Sequence, residues 1–285
     1  MLSPLAGACT HRRPTCNARI PLSLLLILSL ILLCASAGCG DANDKQSTSE
    51  FLKDKSAPQN GYRVVESYDH DPANFTEGLD LEGEILYEGT GLYGQSRLIK
   101  RNLASGEILG SINVGSEYFA EGVTVLKGEV FQATYTSGIC FVYDAETLAS
   151  RRTFNYATEG WGLTDDGGAL IMSDGSSNIY FMDPSTGRVE KTLEVRDDQG
   201  PVGSLNELEY VDGQIYANIW KTDVIAIISA TSGEVEGWVD LTGLKPSENE
   251  QADVLNGIAF DTRTGYLLVT GKRWPYLYEI ELVPR

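Results

Sequence analysis

A short motif recurs five times along this chain, and the repetition constrains the fold more than any other feature of the sequence. The five copies occupy residues 75–79, 119–124, 159–164, 206–210 and 256–260. Aligned on positions 78, 122, 162, 207 and 257, successive copies are 44, 40, 45 and 50 residues apart. Periods of this length are typical of proteins in which each repeat packs against its neighbours. We refer to these five positions as the aligned positions.

The same succession of strand and turn signals follows each copy. Runs of β-branched and aromatic residues, such as residues 138–143, alternate with turn pairs such as Lys127-Gly128. Four strands in about 40 to 50 residues is the size of one β-propeller blade, so we predict an all-β, five-bladed β-propeller. The last repeat has room for only three strands, and we expect a strand at residues 62–68 to complete that blade and close the ring.

The N-terminal residues are expected to lie outside this domain. Three arginines precede an apolar run over residues 20–33, and small residues lead from there to Cys39. This order is typical of a secretory signal, here residues 1–38, and the run is too short for a comfortable membrane span. The residues before Cys39 resemble a bacterial lipobox, although Ser36 stands where Leu is usual. A plain signal peptide that is cut nearby is the alternative.

Residues 39–60 are predicted to be a lipidated Cys39 followed by a flexible tether, because Asp, Lys, Ser and Gln dominate that segment. Residues 61–285 then form the globular domain. We expect an exported, periplasmic lipoprotein that is anchored to the membrane only through its lipid and is otherwise monomeric.

Charge and histidine content exclude several functions. The formal net charge is −18 at pH 7, which argues against a nucleic-acid partner. Only His70 follows Cys39, so a zinc site rich in histidine or a Ser-His-Asp triad is all but excluded.

The residue before each aligned position differs between the repeats, and we expect these five residues to gather at one end of the channel. They are Glu77, Glu121, Trp161, Asn206 and Asn256. The second strand of each repeat should return to the same end, and its tip carries Glu88, Tyr135, Asp174, Trp220 or Lys272. Carboxylates and indoles at a channel mouth predict a functional pocket. Glu88 and Asp174 are better explained as turn residues that bond to local backbone.

Motifs in all five repeats resemble the glutamine cyclotransferase family of plants and bacteria. The matching segments are residues 75–79, 93–96, 119–122, 159–163, 206–210, 215–220, 255–259 and 270–272. The resemblance implies a five-bladed propeller that converts the N-terminal glutamine of peptides and proteins into pyroglutamate and releases ammonia. Such an enzyme is a glutaminyl-peptide cyclotransferase, an acyltransferase, and we expect it to need no metal and no cofactor.

The resemblance also implies residue roles. Glu121 matches the catalytic glutamate of the family, and we expect it to act as the general acid/base. The residues expected to bind the substrate are Phe75, Glu77, Tyr135, Trp161, Asn206, Trp220, Asn256 and Lys272. Asn256 is included because of its position in the repeat. Two positions depart from the plant pattern, because Glu77 stands in place of Gln and Tyr135 in place of Trp, and either change could alter substrate preference or rate.

Two other functions remain open at this point. A non-catalytic periplasmic propeller that binds peptide N termini or a protein partner would bind glutamine peptides without releasing ammonia. A sugar-lactone or dehydrogenase propeller would depend on a metal or quinone site, for which the expected channel residues give little support.

Overall fold

The structure is a computed structural model that describes residues 47–285. The predicted signal peptide, Cys39 and residues 39–46 of the predicted tether lie outside the described residues. The described chain begins with helix α1 (Thr48–Phe51), and strand β1 (Gln59–Asp69) follows. None of the helices in residues 47–285 has the length and apolar character that crossing a membrane requires.

Three four-stranded antiparallel sheets follow β1, and in each sheet the strands lie in chain order. The first contains β2 (Thr76–Glu82), β3 (Ile85–Thr90), β4 (Arg97–Asn102) and β5 (Ile108–Asn113). The second contains β6 (Ala120–Leu126), β7 (Glu129–Thr134), β8 (Ile139–Asp144) and β9 (Ser150–Asn155). The third contains β10 (Leu163–Asp165), β11 (Leu170–Ser173), β12 (Asn178–Met182) and β13 (Val189–Glu194).

A two-stranded hairpin separates these sheets from the last one. Its strands are β14 (Arg196–Asp197) and β15 (Gly200–Pro201). The strands that remain are β16 (Leu205–Val211), β17 (Gln214–Ile219), β18 (Val224–Ser229), β19 (Val235–Asp240), β20 (Leu255–Asp261), β21 (Tyr266–Gly271) and β22 (Tyr276–Pro284). Together with β1 they form one eight-stranded sheet in the order β16-β17-β18-β19-β1-β22-β21-β20.

Strand β1 pairs with strands of two repeats, the fourth and the fifth, which we predicted to form separate blades. It pairs antiparallel with β22 from Asn60 to Asp69. It also pairs parallel with β19, but only at Gln59 and Asn60. The strand therefore begins three residues earlier than the predicted segment, and these extra residues make the second pairing possible.

Residues 47–60 are not the free tether that the sequence predicts. Leu52 is buried, and the Phe51 ring meets the ring of Trp238 edge-on with centroids 5.3 Å apart. Lys55 lies over both rings. The prediction failed because two apolar residues in a polar segment give almost no hydrophobic signal, whereas Trp238 offers them an apolar surface nearly 190 residues later in the chain.

Glycines at the aligned positions let the first strands of successive repeats lie in backbone contact. A Cβ atom on Gly78 would lie 2.5 Å from the backbone of β6, and one on Gly122 would lie 2.4 Å from that of β10. A Cβ atom on Gly162 would lie 2.2 Å from the backbone of β16. Non-bonded heavy atoms do not approach so closely, so these three positions exclude every side chain.

Glu207 stands at the aligned position of the fourth repeat, and its carboxylate links three repeats. One carboxylate oxygen accepts the N–H of Leu79 in β2 at 3.1 Å, and the other accepts the N–H of Ile258 in β20 at 2.7 Å. Both β2 and β20 are edge strands of their sheets, so these buried N–H groups would otherwise lack partners. Burial raises the pKa of Glu207 well above its usual value, although the two N–H donors oppose the shift.

A β-bulge lies at the aligned position in four of the five repeats. The strand register shifts between Thr76 and Gly78, between Ala120 and Val123, between Leu205 and Leu208, and between Leu255 and Ile258. A bulge turns a side chain out of the regular alternation of a strand, and bulges are common beside functional sites. The four bulges coincide with Glu77, Glu121, Asn206 and Asn256.

The glycine contacts give a first prediction. Gly122→Ala places a methyl group against the backbone of β10, and we expect it to lower the free energy of unfolding by about 3 kcal/mol or more. Gly168→Ala is the matched control, because its Cβ atom would have its nearest neighbour at an ordinary 3.4 Å. Urea unfolding of both variants measures the difference. Equal free energies of unfolding would contradict the proposed packing.

Candidate active site

A cavity of about 390 Å³ lies beside the first residues of β2, β6 and β16. It collects most of the residues that the sequence predicts for the site. The predicted residues that line it are Phe75, Glu77, Glu121, Tyr135, Trp161, Asn206, Trp220 and Lys272. They come from all five repeats, and every repeat supplies at least one of them.

Asn256 requires a correction, because it is not among the lining residues. It is fully buried behind Glu77. Its side-chain N–H donates to the Glu77 carboxylate at 3.2 Å and to the carbonyl oxygen of Thr76 at 3.0 Å. Both bonds turn the amide toward β2 and away from the cavity. Asn256 therefore positions Glu77 and does not line the cavity.

The cavity also has lining residues that the sequence prediction missed. They are Leu92, Tyr93, Phe119, Lys221, Asp253 and Val254. Two of them had a usable signal: Phe119 occupies the same repeat position as Phe75, and Tyr93 lies in one of the segments that resemble the family. The others lie on connections whose course the repeat does not specify.

Glu88 and Asp174 stay outside the cavity. Asp174 accepts the backbone N–H of Ser176 at 3.0 Å and the Tyr180 hydroxyl at 2.8 Å, which confirms its interpretation as a turn residue. Glu88 is not a turn residue, because it is fully buried within β3 and bonds to His70.

Five aromatic side chains form a continuous wall around the cavity. Their successive ring centroids lie 6.4, 6.0, 6.4 and 5.4 Å apart in the order Phe75, Phe119, Tyr135, Trp161 and Trp220. Every contact is edge-to-face, a geometry that aromatic pairs prefer over direct stacking. The wall is therefore held by its own ring contacts.

Glycines beneath the wall fix its rings in place. A Cβ atom on Gly91 would lie 2.4 Å from the Phe119 ring, and one on Gly175 would lie 2.7 Å from the Trp161 ring. The indole N–H of Trp161 also donates to Glu159 at 3.0 Å. These rings therefore have little freedom to move out of the cavity.

Two carboxyl groups, Glu77 and Glu121, line the cavity and lie within hydrogen-bonding reach of each other. Glu77 is 1% exposed and Glu121 is 6% exposed. Burial, and then the negative charge of Glu77, raises the pKa of Glu121 well above its usual value. Adjacent carboxylates resist double ionisation, so the pair is expected to hold one proton at neutral pH.

Lys272 determines where that proton lies. Its ammonium nitrogen is 2.7 Å from the Glu77 carboxylate and 4.6 Å from the centre of the Phe75 ring. Burial raises the pKa of Glu77, and Lys272 opposes the shift. A cation at this distance favours the ionised form of Glu77, so the shared proton resides on Glu121.

Asn206 offers a free amide to the cavity. The side chain is 3% exposed, and its Oδ1 atom has no hydrogen-bond partner in residues 47–285. A buried polar atom without a partner costs about 1–3 kcal/mol, which a bound ligand can recover.

His70 belongs to a buried ion pair behind the cavity. Its ring nitrogens lie 2.6 Å from the carbonyl oxygen of Trp274 and 3.0 Å from the Glu88 carboxylate. Both partners accept hydrogen bonds, so the imidazole must carry two protons. Burial alone would lower the pKa of His70, but Glu88 and the Trp274 carbonyl outweigh burial and raise it.

This ion pair connects two segments of the site. His70 precedes the residues that lead to Phe75 and Glu77, whereas Trp274 follows Lys272.

In residues 47–285, no group of three or more His, Cys, Asp or Glu side chains is arranged to hold a metal ion.

Comparisons with known proteins cover most of the chain. A model of the glutamine cyclotransferase family matches residues 30–282. The chain is 42% identical over 229 residues to a glutaminyl-peptide cyclotransferase of Arabidopsis thaliana, a match that covers 78% of this chain and 72% of that protein. It is also similar to the crystal structure of Myxococcus xanthus glutaminyl cyclase, with a TM-score of 0.74 and 32% identity over 80% of this chain and 99% of that one.

The buried ion pair gives a second prediction. His70→Gln removes the positive charge beside Glu88, and we expect a loss of about 3–5 kcal/mol in the free energy of unfolding at about pH 6. A raised histidine pKa stabilises the fold fully below the unfolded value of about 6.5, and this contribution disappears as the pH rises through the folded value. Urea unfolding from about pH 6 to about pH 9 should therefore show a shrinking difference from the wild type.

The exposed neighbour Asp71 supplies the control for this experiment. Asp71→Asn should follow the wild-type pH dependence. A loss in His70→Gln that stays constant over the same pH range would contradict the assignment of His70 as a charged partner of Glu88.

Proposed function

This chain belongs to the glutamine cyclotransferase family, and we propose that it is a glutaminyl-peptide cyclotransferase, an acyltransferase that converts N-terminal glutamine into pyroglutamate and releases ammonia. One observation carries the proposal: the buried pair Glu77–Glu121 lies at the floor of a cavity with aromatic walls. A protein that only binds peptides has no need for a buried carboxyl that retains its proton, whereas proton transfer requires one.

We propose a five-bladed β-propeller as the scaffold, with β1 as the outer strand of the last blade. Five repeats with five first strands support this count. The antiparallel pairing of β1 with β22 supports the closure, as does the carboxylate of Glu207, which bonds both β2 and β20.

Cyclisation requires the α-amine to reach the amide carbon of its own side chain. In solution a glutamine side chain is mostly extended, so orientation is a large part of the barrier. Correct orientation in favourable intramolecular reactions is worth about 7–11 kcal/mol. The wall from Phe75 to Trp220 would hold the side chain folded, because the rings cannot move away from it.

Proton transfer is assigned to Glu121. The amine attacks as the neutral base, and its free pKa is about 8. Glu121 lies at the floor of the cavity and would serve as the general acid/base that links the amine and the departing amide nitrogen. Asn206 lines the cavity and would donate its side-chain N–H to the oxygen that becomes negative during attack, because Lys272 is already paired with Glu77.

Replacement of Glu121 tests this assignment. Glu121→Gln keeps the size of the side chain and removes the transferable proton, so we expect kcat to fall by about 10²–10⁴-fold. The measurement is ammonia release from a glutamine-initiated peptide. Glu82→Gln, at the exposed far end of β2, should keep wild-type turnover. Wild-type turnover in a folded Glu121→Gln variant would remove Glu121 from its role.

We further propose that the protein is exported as a lipoprotein with its lipid on Cys39, and that it acts as a monomer. The order of arginines, apolar run, small residues and cysteine supports the lipid anchor. Cys39→Ser should move the protein from the membrane fraction to the soluble fraction. An unchanged distribution between the fractions would contradict the lipid anchor.

A further inference from the structure

Cyclisation moves two protons, and the single carboxyl group of Glu121 can hold only one of them at a time. The attacking amine nitrogen must lose a proton, and the departing amide nitrogen must gain one. Glu121 holds a proton before the substrate binds, because burial and the adjacent Glu77 raise its pKa. Glu121 can therefore donate a proton to the leaving group. While it holds that proton, a second, ionised carboxylate within reach must accept the proton of the amine.

Glu77 has the surroundings of such an ionised carboxylate. Lys272 lies 2.7 Å from it, and Asn256 donates to it at 3.2 Å. The Phe75 ring covers the Lys272 ammonium group, which keeps this ion pair away from water. A carboxylate that accepts one charged and one neutral hydrogen bond is stabilised in its ionised form.

The position of the Glu77 side chain is fixed by its neighbours. A Cβ atom on Gly91 would lie 3.0 Å from Glu77 Cγ, so Gly91 provides the space in which the side chain lies. Asn256 is itself held by the carbonyl oxygen of Thr76. Glu77 also lines the cavity, so it can touch the substrate as well as Glu121.

We propose that Glu77 and Glu121 form a two-carboxyl catalytic unit with one shared proton, in which Glu77 accepts a proton from the amine and Glu121 donates one to the leaving group. This inference rests on the proposed cyclotransferase function and adds a second catalytic residue to it.

The bonds and protons of this step balance. The neutral amine nitrogen forms a bond to the side-chain amide carbon, and the bond from that carbon to its original nitrogen breaks. One amine proton passes to Glu77, and the Glu121 proton passes to the departing nitrogen, which leaves as ammonia. The lactam nitrogen keeps one hydrogen. The proton on Glu77 then moves to Glu121 along their hydrogen bond, and the unit returns to its starting state.

The test compares Glu77→Gln with the wild type on a Gln-Ala peptide amide. Gln has the same size and keeps an acceptor for Lys272, so the fold should persist, as urea unfolding can verify. We expect kcat to fall by about 10²-fold or more, because the base is missing, while KM changes by less than about threefold. Glu82→Gln is again the control.

The pH profile supplies a second readout. The charged groups that face the pair are Lys272, Asp253 and Glu159. With Gln at position 77, Glu121 loses its anionic neighbour, and its pKa falls. The high-pH limb of kcat should therefore move to lower pH by about one unit or more. Glu77→Asp keeps the charge and should leave this limb near the wild-type position, with an intermediate kcat.

A double variant tests whether the two residues act as one unit. Glu77→Gln combined with Glu121→Gln should be no slower than Glu121→Gln alone, because residues that act together lose their effect together. A higher KM for Glu77→Gln with unchanged kcat and an unchanged high-pH limb would overturn the proposal, since Glu77 would then only bind the substrate ammonium. Absence of ammonia release by the wild-type protein would instead overturn the cyclotransferase function itself.

Discussion

The backbone contact between the first strands of successive repeats is the constraint on which this structure depends. Gly78, Gly122 and Gly162 permit the contact because no Cβ atom fits there. Glu207 occupies the equivalent place in the next repeat and satisfies N–H groups of two edge strands. Because the first strands converge at the aligned positions, the residues just before these positions come close to one another. The same strand contacts therefore hold the fold together and form the cavity.

The carboxyl pair is stable in this position because the surrounding residues reduce its charge. Two buried carboxylates in contact would repel each other strongly in a medium of low polarity. One shared proton removes the second charge, and Lys272 compensates the first. Asn256 and the pair His70–Glu88 hold the segments that carry these groups. The site therefore keeps a proton donor and a proton acceptor together.

The repeat predicts much of this arrangement, and its failures have physical reasons. Residues at equivalent repeat positions lie at the same end of their strands. The period alone therefore predicts that Glu77, Glu121 and Trp161 line one cavity. The period does not say which way a side chain turns at a bulge, and the predicted place of Asn256 in the cavity lining was wrong for this reason. Contacts between distant segments, such as Phe51 with Trp238, leave no periodic signal. Leu92 and Val254 lie on connections whose course the repeat does not specify, and they were missed as lining residues.

A crystal structure of the Glu121→Gln variant with a glutamine-initiated peptide tests the central claim most directly. The account predicts that the N-terminal glutamine lies folded against the aromatic wall, with its amine nitrogen about 3–3.5 Å from its own amide carbon. The amine should face Glu77, and the amide nitrogen should face residue 121. A peptide bound outside the cavity, or an extended glutamine whose amine lies away from both carboxyl positions, would contradict the account.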